Sequence, residues 1–258
     1  MRYVYRALTL LGGYPAQRVM GAATVVCLAA TVTIGLFVVP ADAFQGDVQR
    51  LMYVHVPAAW VAYLSFGVVF VASVAYLKTG RVLWDRVASA SAEIGVRFCA
   101  LTIVLGSLWG RPVWGTWWTW DPRLTTTAVL LLIYVGYVSL RKVADNPIRR
   151  ARWSAVVGVV GFIDVPIVHM SVVWWRSLHQ EATVLRPGAP TIAGSMLATL
   201  LLAFVAFSLA YGYLMAVRVR VGRLEDRSAM PVSELSTPRA RRPRPFEGAT
   251  AKADPRHA

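Results

Sequence analysis

The sequence predicts an all-α integral membrane protein: six transmembrane helices with an extracytoplasmic segment rich in tryptophan. Three observations carry this. Of 258 residues, 57% are hydrophobic and the mean hydropathy is +0.52, well above the roughly 45–50% apolar usage of soluble domains. Six apolar runs approach the roughly 17–25 residues that a spanning helix needs. Twenty-one of the 27 Lys and Arg fall on one side of these runs and five on the other, with Arg97 inside the third. By the positive-inside rule, that bias puts both termini in the cytoplasm.

The runs are 19–39, 57–77, 94–109, 124–140, 154–170 and 191–217. The first follows Arg2, Arg6 and Arg18 and is long enough to span, so it is expected to be a helix of the bundle and not a cleavable signal peptide. The third is the shortest and carries Arg97, four residues after Glu93, a spacing at which the two can pair near a helix end. The fifth contains Asp164, a carboxylate that is costly in lipid and expected to face the bundle interior, to pair with Arg97 or to be protonated. Gly158 and Gly161 in that run permit close helix packing. Residues 1–217 therefore read as one membrane domain. From Arg218 onward, 218–258 read as a basic, disordered cytoplasmic tail for anionic membrane lipids, at about 1 kcal/mol per basic residue. The net charge of +14 is explained by topology, and no nucleic acid partner is expected.

Between the third and fourth runs lies WGRPVWGTWWTWDPRLT, residues 109–125. Five of the ten tryptophans, Trp109, Trp114, Trp117, Trp118 and Trp120, fall here within twelve residues. Gly110, Pro112, Gly115 and Pro122 interrupt the helical hydrogen-bond ladder, so the stretch reads as an outward loop. Indole rings are broad, flat and apolar with one N–H at the edge. Gathered at a membrane surface they make a platform for a large planar ligand. The bland reading is an aromatic belt, but a belt spreads its rings over several helix ends, whereas these are concentrated in one segment.

Two histidines share that face. His55 sits in LMYVHVPAAW at the start of the second run, and His179 in VVWWRSLHQE beyond the fifth. Imidazole is the commonest metal ligand, and a heme iron takes at most two axial donors. His169 is expected inside a helix end and stands as the reserve ligand; His257 lies in the tail. Arg111 and Arg123 flank the tryptophans, and Arg50 and Arg176 lie near the histidines, suited to bind propionates bidentately. Asp121 has no second carboxylate nearby for acid–base work and is expected to order the segment. Cys27 and Cys99 form no CxxC or CxxCH, which excludes covalent c-type attachment and zinc spacing.

On MYVHVPAAW at 52–60, GSLWGRPVWGTWWTWDPRLT at 106–125 and VVWWRSLHQ at 172–180, the chain resembles the CcmC family of heme-handling proteins of the system I cytochrome c maturation pathway. The similarity extends from about Arg18 to Val217. It implies six helices and an outward WWD domain holding non-covalent heme b, with axial histidines matching His55 and His179. It further implies transfer of heme to the periplasmic chaperone CcmE, action beside the ABC transporter subunits CcmA and CcmB and the small protein CcmD, and no hydrolytic catalysis. One departure is Pro122, where the family resemblance leads one to expect a residue such as Ala; WDP is more usual in the lyase subunit CcmF and in CcsA. Arg123, Leu124 and Thr125 and the short length favour CcmC. A permease subunit moving a polar solute past Arg97 and Asp164 is the reading from another class, and a structural assembly subunit a third.

Overall fold

The computed structural model describes residues 14–180, 183–184 and 188–228. Among them, the first span is α1 (Tyr14–Thr33), extended by a π-helical turn (Ile34–Val38). Its freed carbonyls are met by a side chain from the next element: the Arg50 guanidinium donates to the Gly35 and Val39 carbonyl oxygens and pairs with Asp47 at 2.8 Å. Arg50 therefore serves the first span's end, not a ligand's carboxylates.

A 3-10 turn (Asp47–Leu51) leads into α2 (Met52–Thr79), which ends at Gly80 in the left-handed conformation. Then come α3 (Val82–Trp114) and α4 (Pro122–Val143). The fifth span is α5 (Pro147–Gly161) and α6 (Asp164–Trp174), and the sixth is α7 (Gly194–Ser228). Among the described residues, six helical segments are long and apolar enough to cross a membrane, from Pro15–Val38 to Gly194–Gly222. No strand is present among the described residues; Asp42 and Gly46 form an isolated bridge.

Two of these elements differ from the sequence reading for local reasons. The fifth span is broken at Phe162 and Ile163, because Pro166 has no N–H for the Phe162 carbonyl and its ring crowds that position. Asp164 opens α6 at this break, with Oδ2 buried and unpartnered. The sixth helix continues through 218–228, which the sequence reading placed in the tail. Contacts divide the chain into units Met1–Val221 and Gly222–Ala258. The proposed tail at 229–258, with His257, lies outside the described residues, as do Arg2, Arg6 and Arg186.

The core of the first unit is built on α2, which packs against α3, α4 and α5. Phe66 stacks on Tyr134 with ring centroids 3.8 Å apart. A Cβ at Gly158 would come within 2.7 Å of Ser73 Oγ and 2.9 Å of a Val69 methyl, so α5 reaches α2 only through glycine. Ion pairs fix α3 to its neighbours away from the tryptophan end. Arg141 holds Asp85 through two contacts, 2.5 and 2.9 Å long, and Arg218 holds Glu93 at 2.9 and 3.0 Å. Such pairs set register more than they add stability. Arg97 does meet Glu93, at 3.9 Å, but within α3 and not at its end, and Asp164 has no ion pair with it. The polar path that a solute permease would need is not formed by these two residues.

Candidate functional site

The ends of α3 and α6 and the starts of α2, α4 and α7 meet at one end of the bundle, and the histidines and tryptophans are there. The helix α3 passes through Gly110 and Pro112 to Trp114. The interruption expected from those residues does not occur, because Pro112 forfeits one bond, to the Leu108 carbonyl, in the last turn where the ladder is ending. Termination falls at Gly115, with φ +78°, whose N–H bonds the Arg111 carbonyl and whose carbonyl accepts from the Arg111 guanidinium. Trp109 and Trp114 are thus helix-borne and aimed, while Trp117, Trp118 and Trp120 lie on the connection to α4. That helix starts on Asp121, whose carboxylate accepts the Arg123 N–H at 2.9 Å, and on Pro122 at its first position. Proline is pre-shaped for that position, which gives the WDP departure a structural reason.

His55, in the first turn of α2, meets the edge of Trp109 with centroids 5.7 Å apart and planes at 85°. The Trp109 indole N–H donates to Gln45 Oε1 at 2.8 Å. Gln45 in turn is set by a turn in which Asp42 accepts the N–H groups of Phe44 and Gln45. His55 Nδ1 is buried without a hydrogen-bond partner. Behind the ring is Gly106, where a Cβ would stand 3.1 Å from His55 Cε1.

His179 meets Trp114, centroids 4.8 Å apart and planes at 70°. Its Nδ1 is 3.3 Å from Asp121 Oδ1. The same carboxylate accepts from Ser177 Oγ at 3.1 Å and from the Leu178 N–H at 2.7 Å. Burial alone would raise the Asp121 carboxyl, but these hydrogen bonds and the nearby His179 hold it below the usual carboxylate range. Burial and the nearby Arg123 charge lower the proton affinity of His179 against the opposing pull of Asp121, so its pKa lies below the ordinary histidine range. Asp121 thus fixes the ring and leaves Nε2 free, the carboxylate–histidine pairing common behind metal ligands.

Both histidines line the same two cavities, of about 220 and 330 Å³. Trp109, Trp114 and Arg123 line the first, and His169, Arg123 and Thr102 the second. Arg123 stands in both, with one guanidinium nitrogen 3.2 Å from the His169 carbonyl and Nε buried without a partner. Arg111 is spent on Gly115, and Arg176 is exposed. Trp117, Trp118 and Trp120 line neither cavity; Trp118 and Trp120 meet edge to face at 5.7 Å, and Trp120 is 80% exposed. Gln45 lies outside the motifs that carry the family resemblance, whereas Trp60 closes the first and Gly106 opens the second. Gly106 does fall three residues before Trp109, on the same face of a helix.

Chemically, the site sets two imidazoles on the same cavities, beside apolar residues and the half-buried Arg123 guanidinium. Among the described residues no group of three or more His, Cys, Asp and Glu could cage a bare ion. Two donors suffice where a macrocycle supplies the equatorial ligands. The two histidine rings that line these cavities fit that donor set.

Comparison with known proteins gives the same direction. A family model described as heme exporter protein C matches residues 9–233. Heme exporter protein C of Bradyrhizobium diazoefficiens is 42% identical over 214 residues, covering 81% of this chain and 80% of the relative. That of Escherichia coli K12 is 36% identical over 203 residues, covering 79% and 82%. A putative cytochrome c biosynthesis ccmC-like mitochondrial protein of Marchantia polymorpha is 34% identical over 192 residues, covering 74% and 81%.

Proposed function

The chain belongs to the heme exporter protein C family, and on that premise we propose that it holds heme between His55 and His179 at the outer membrane face and hands it to a heme chaperone. Membership carries a role in heme delivery for cytochrome c maturation, as a multi-pass bacterial membrane subunit and not an enzyme. The observation that supports the finer reading is that His55 and His179, 124 residues apart in sequence, line the same two cavities while Asp121 orients one of them.

Heme is cargo here. Its iron takes the two imidazoles, which saturate it and suppress reaction with oxygen. Trp109 and Trp114 supply flat apolar contact and position the histidine rings. Arg123 pairs with a propionate, since its buried Nε has no other partner. With no CxxCH, binding is non-covalent, as for heme b. The charge bias supports an orientation with both termini in the cytoplasm and this end outside, where a CcmE-like chaperone receives the heme. CcmA, CcmB and CcmD are the partners implied by the family likeness, and the basic 218–258 segment faces anionic lipid. Trp117 and Trp120, exposed and outside both cavities, suit contact with the chaperone or the interface more than with the ring.

The test is an absorbance titration of the detergent-purified full chain with hemin. The expected result is a bis-histidine Soret band that His55→Ala and His179→Ala each weaken at least tenfold in affinity or convert to another ligation type. Unchanged spectra in both variants would overturn the assignment.

A further inference from the structure

A third cavity adjoins the histidine site and is larger, about 690 Å³. It lies between α2 and α7. The stretch of α7 that walls it, Leu200 to Leu209, runs about 14 Å along the helix axis at 1.5 Å per residue. It is continuous with the site: Val56 and Arg123 line all three cavities, Trp109 and Gln180 are shared with the first, and His169, Trp60 and Phe204 with the second. Its far wall faces outward within the spanning segments. Leu201 and Val205 are about half exposed, and for a spanning helix the surroundings at that depth are lipid. Trp60 crosses this wall, edge-on to Phe204 at 5.9 Å, its indole N–H satisfied by Ser208 Oγ at 3.1 Å.

We propose that this chamber is a second binding position for the heme, occupied as the macrocycle comes sideways from the bilayer, before it moves up between His55 and His179. The inference rests on the reading of the histidine site given above. Three features argue for this occupant. Ligand cavities of drug size run about 300–1,000 Å³; the spaces lined by both histidines, about 220 and 330 Å³, lie at or below the low end of that range, and the chamber is well inside it. A porphyrin dissolves in lipid through its ring and keeps its carboxylates toward polar ground, and the chamber matches this with apolar walls and a polar upper edge of Arg123, His169 and Gln180. Arg123 reaches every cavity, so a propionate keeps the same guanidinium while the ring moves from one position to the next. His169, the histidine left over by the axial assignment, lines the chamber and not the space beside Trp114. It offers the iron a weaker, exposed donor in transit.

The experiment places the full chain in proteoliposomes and supplies hemin dissolved in donor vesicles of phosphatidylcholine and phosphatidylglycerol, following growth of the Soret band. Leu201→Trp fills the wall from its half-exposed face and is expected to slow loading at least tenfold while the final amplitude and band shape match the unaltered protein. As an internal control, Leu201→Cys in a background of Cys27→Ser and Cys99→Ala is blocked by a benzyl mixed disulfide, and loading is compared before blocking, after it, and after the group is cleaved and the reductant removed. Slow loading only in the blocked form supports the chamber. Loading at the unaltered rate in both variants overturns it and leaves the space to lipid chains or a partner's helix. If the unaltered protein gains no bis-histidine band, or His55→Ala leaves that band unchanged, the histidine site fails, whatever the loading rates.

Discussion

The two halves of the tryptophan-rich segment are both dense in indole rings and have opposite surroundings. Trp109 and Trp114 stand on the last turns of α3, each set edge-on against a histidine, one with its N–H held by Gln45. Trp117 and Trp120, a few residues on, are 57% and 80% exposed and line none of the three cavities. The difference is made by backbone. A helix fixes the direction of every side chain it carries, whereas the connection after Gly115 leaves its rings to whatever meets that surface. Density of tryptophan marks the region, and the helix end decides which rings line a cavity.

The sharpest way to break this comparison is to truncate one ring from each half. Trp109→Ala is expected to lower heme affinity at least tenfold and to cost about 3 kcal/mol in stability, the low end for a half-buried large side chain. Trp120→Ala should stay within about 0.5 kcal/mol with an unchanged hemin titration. Equal loss of heme in both would erase the distinction. Next in size, Asp121→Asn keeps a good N-cap for α4 but removes the carboxylate behind His179, so hemin affinity should fall about 10- to 100-fold with little change in melting temperature. A smaller effect comes from Gly106→Ala. The added methyl reaches 3.1 Å from His55 Cε1 and should displace the ring by a few tenths of an ångström, weakening heme binding several-fold. Stability should hold or rise, as Ala favours a helix by about 1 kcal/mol over Gly.

The smallest effect concerns protons. In heme-free protein, NMR should show His179 titrating below its ordinary value of about 6.5, since burial lowers it. The sign for Asp121→Asn is then downward again, because the carboxylate opposes that shift. A depressed histidine contributes stability above its unfolded pKa that is lost as pH falls through the folded one. Trp117→Ala should leave the titration where it was.

Much of this was legible in the sequence because lipid leaves few choices. Spans must be apolar and helical, and basic residues sort the loops, so six runs give six spans. That the two histidines share one end follows from the same alternation. What the sequence does not reveal is local competition. Pro112 looks like a breaker, yet near a helix end it removes a bond that was about to be lost. Arg50 looks like a carboxylate binder, yet the π-helical turn before it leaves carbonyls that claim it first. The break at Phe162 needs Pro166 to be read together with its position four residues on. The role of Asp121 as an organiser could be inferred, but not its partners, which come from a segment more than fifty residues away.

The carboxylate of Asp121 joins the first turn of α4 to the strand of chain carrying Ser177, Leu178 and His179. Because the three attachments on the far side converge on one group, they fail together. At about 1 kcal/mol each, pulling that stretch outward costs only a few kilocalories before the His179 ring parts from Asp121. Release of that stretch then has a threshold, because its attachments share one acceptor.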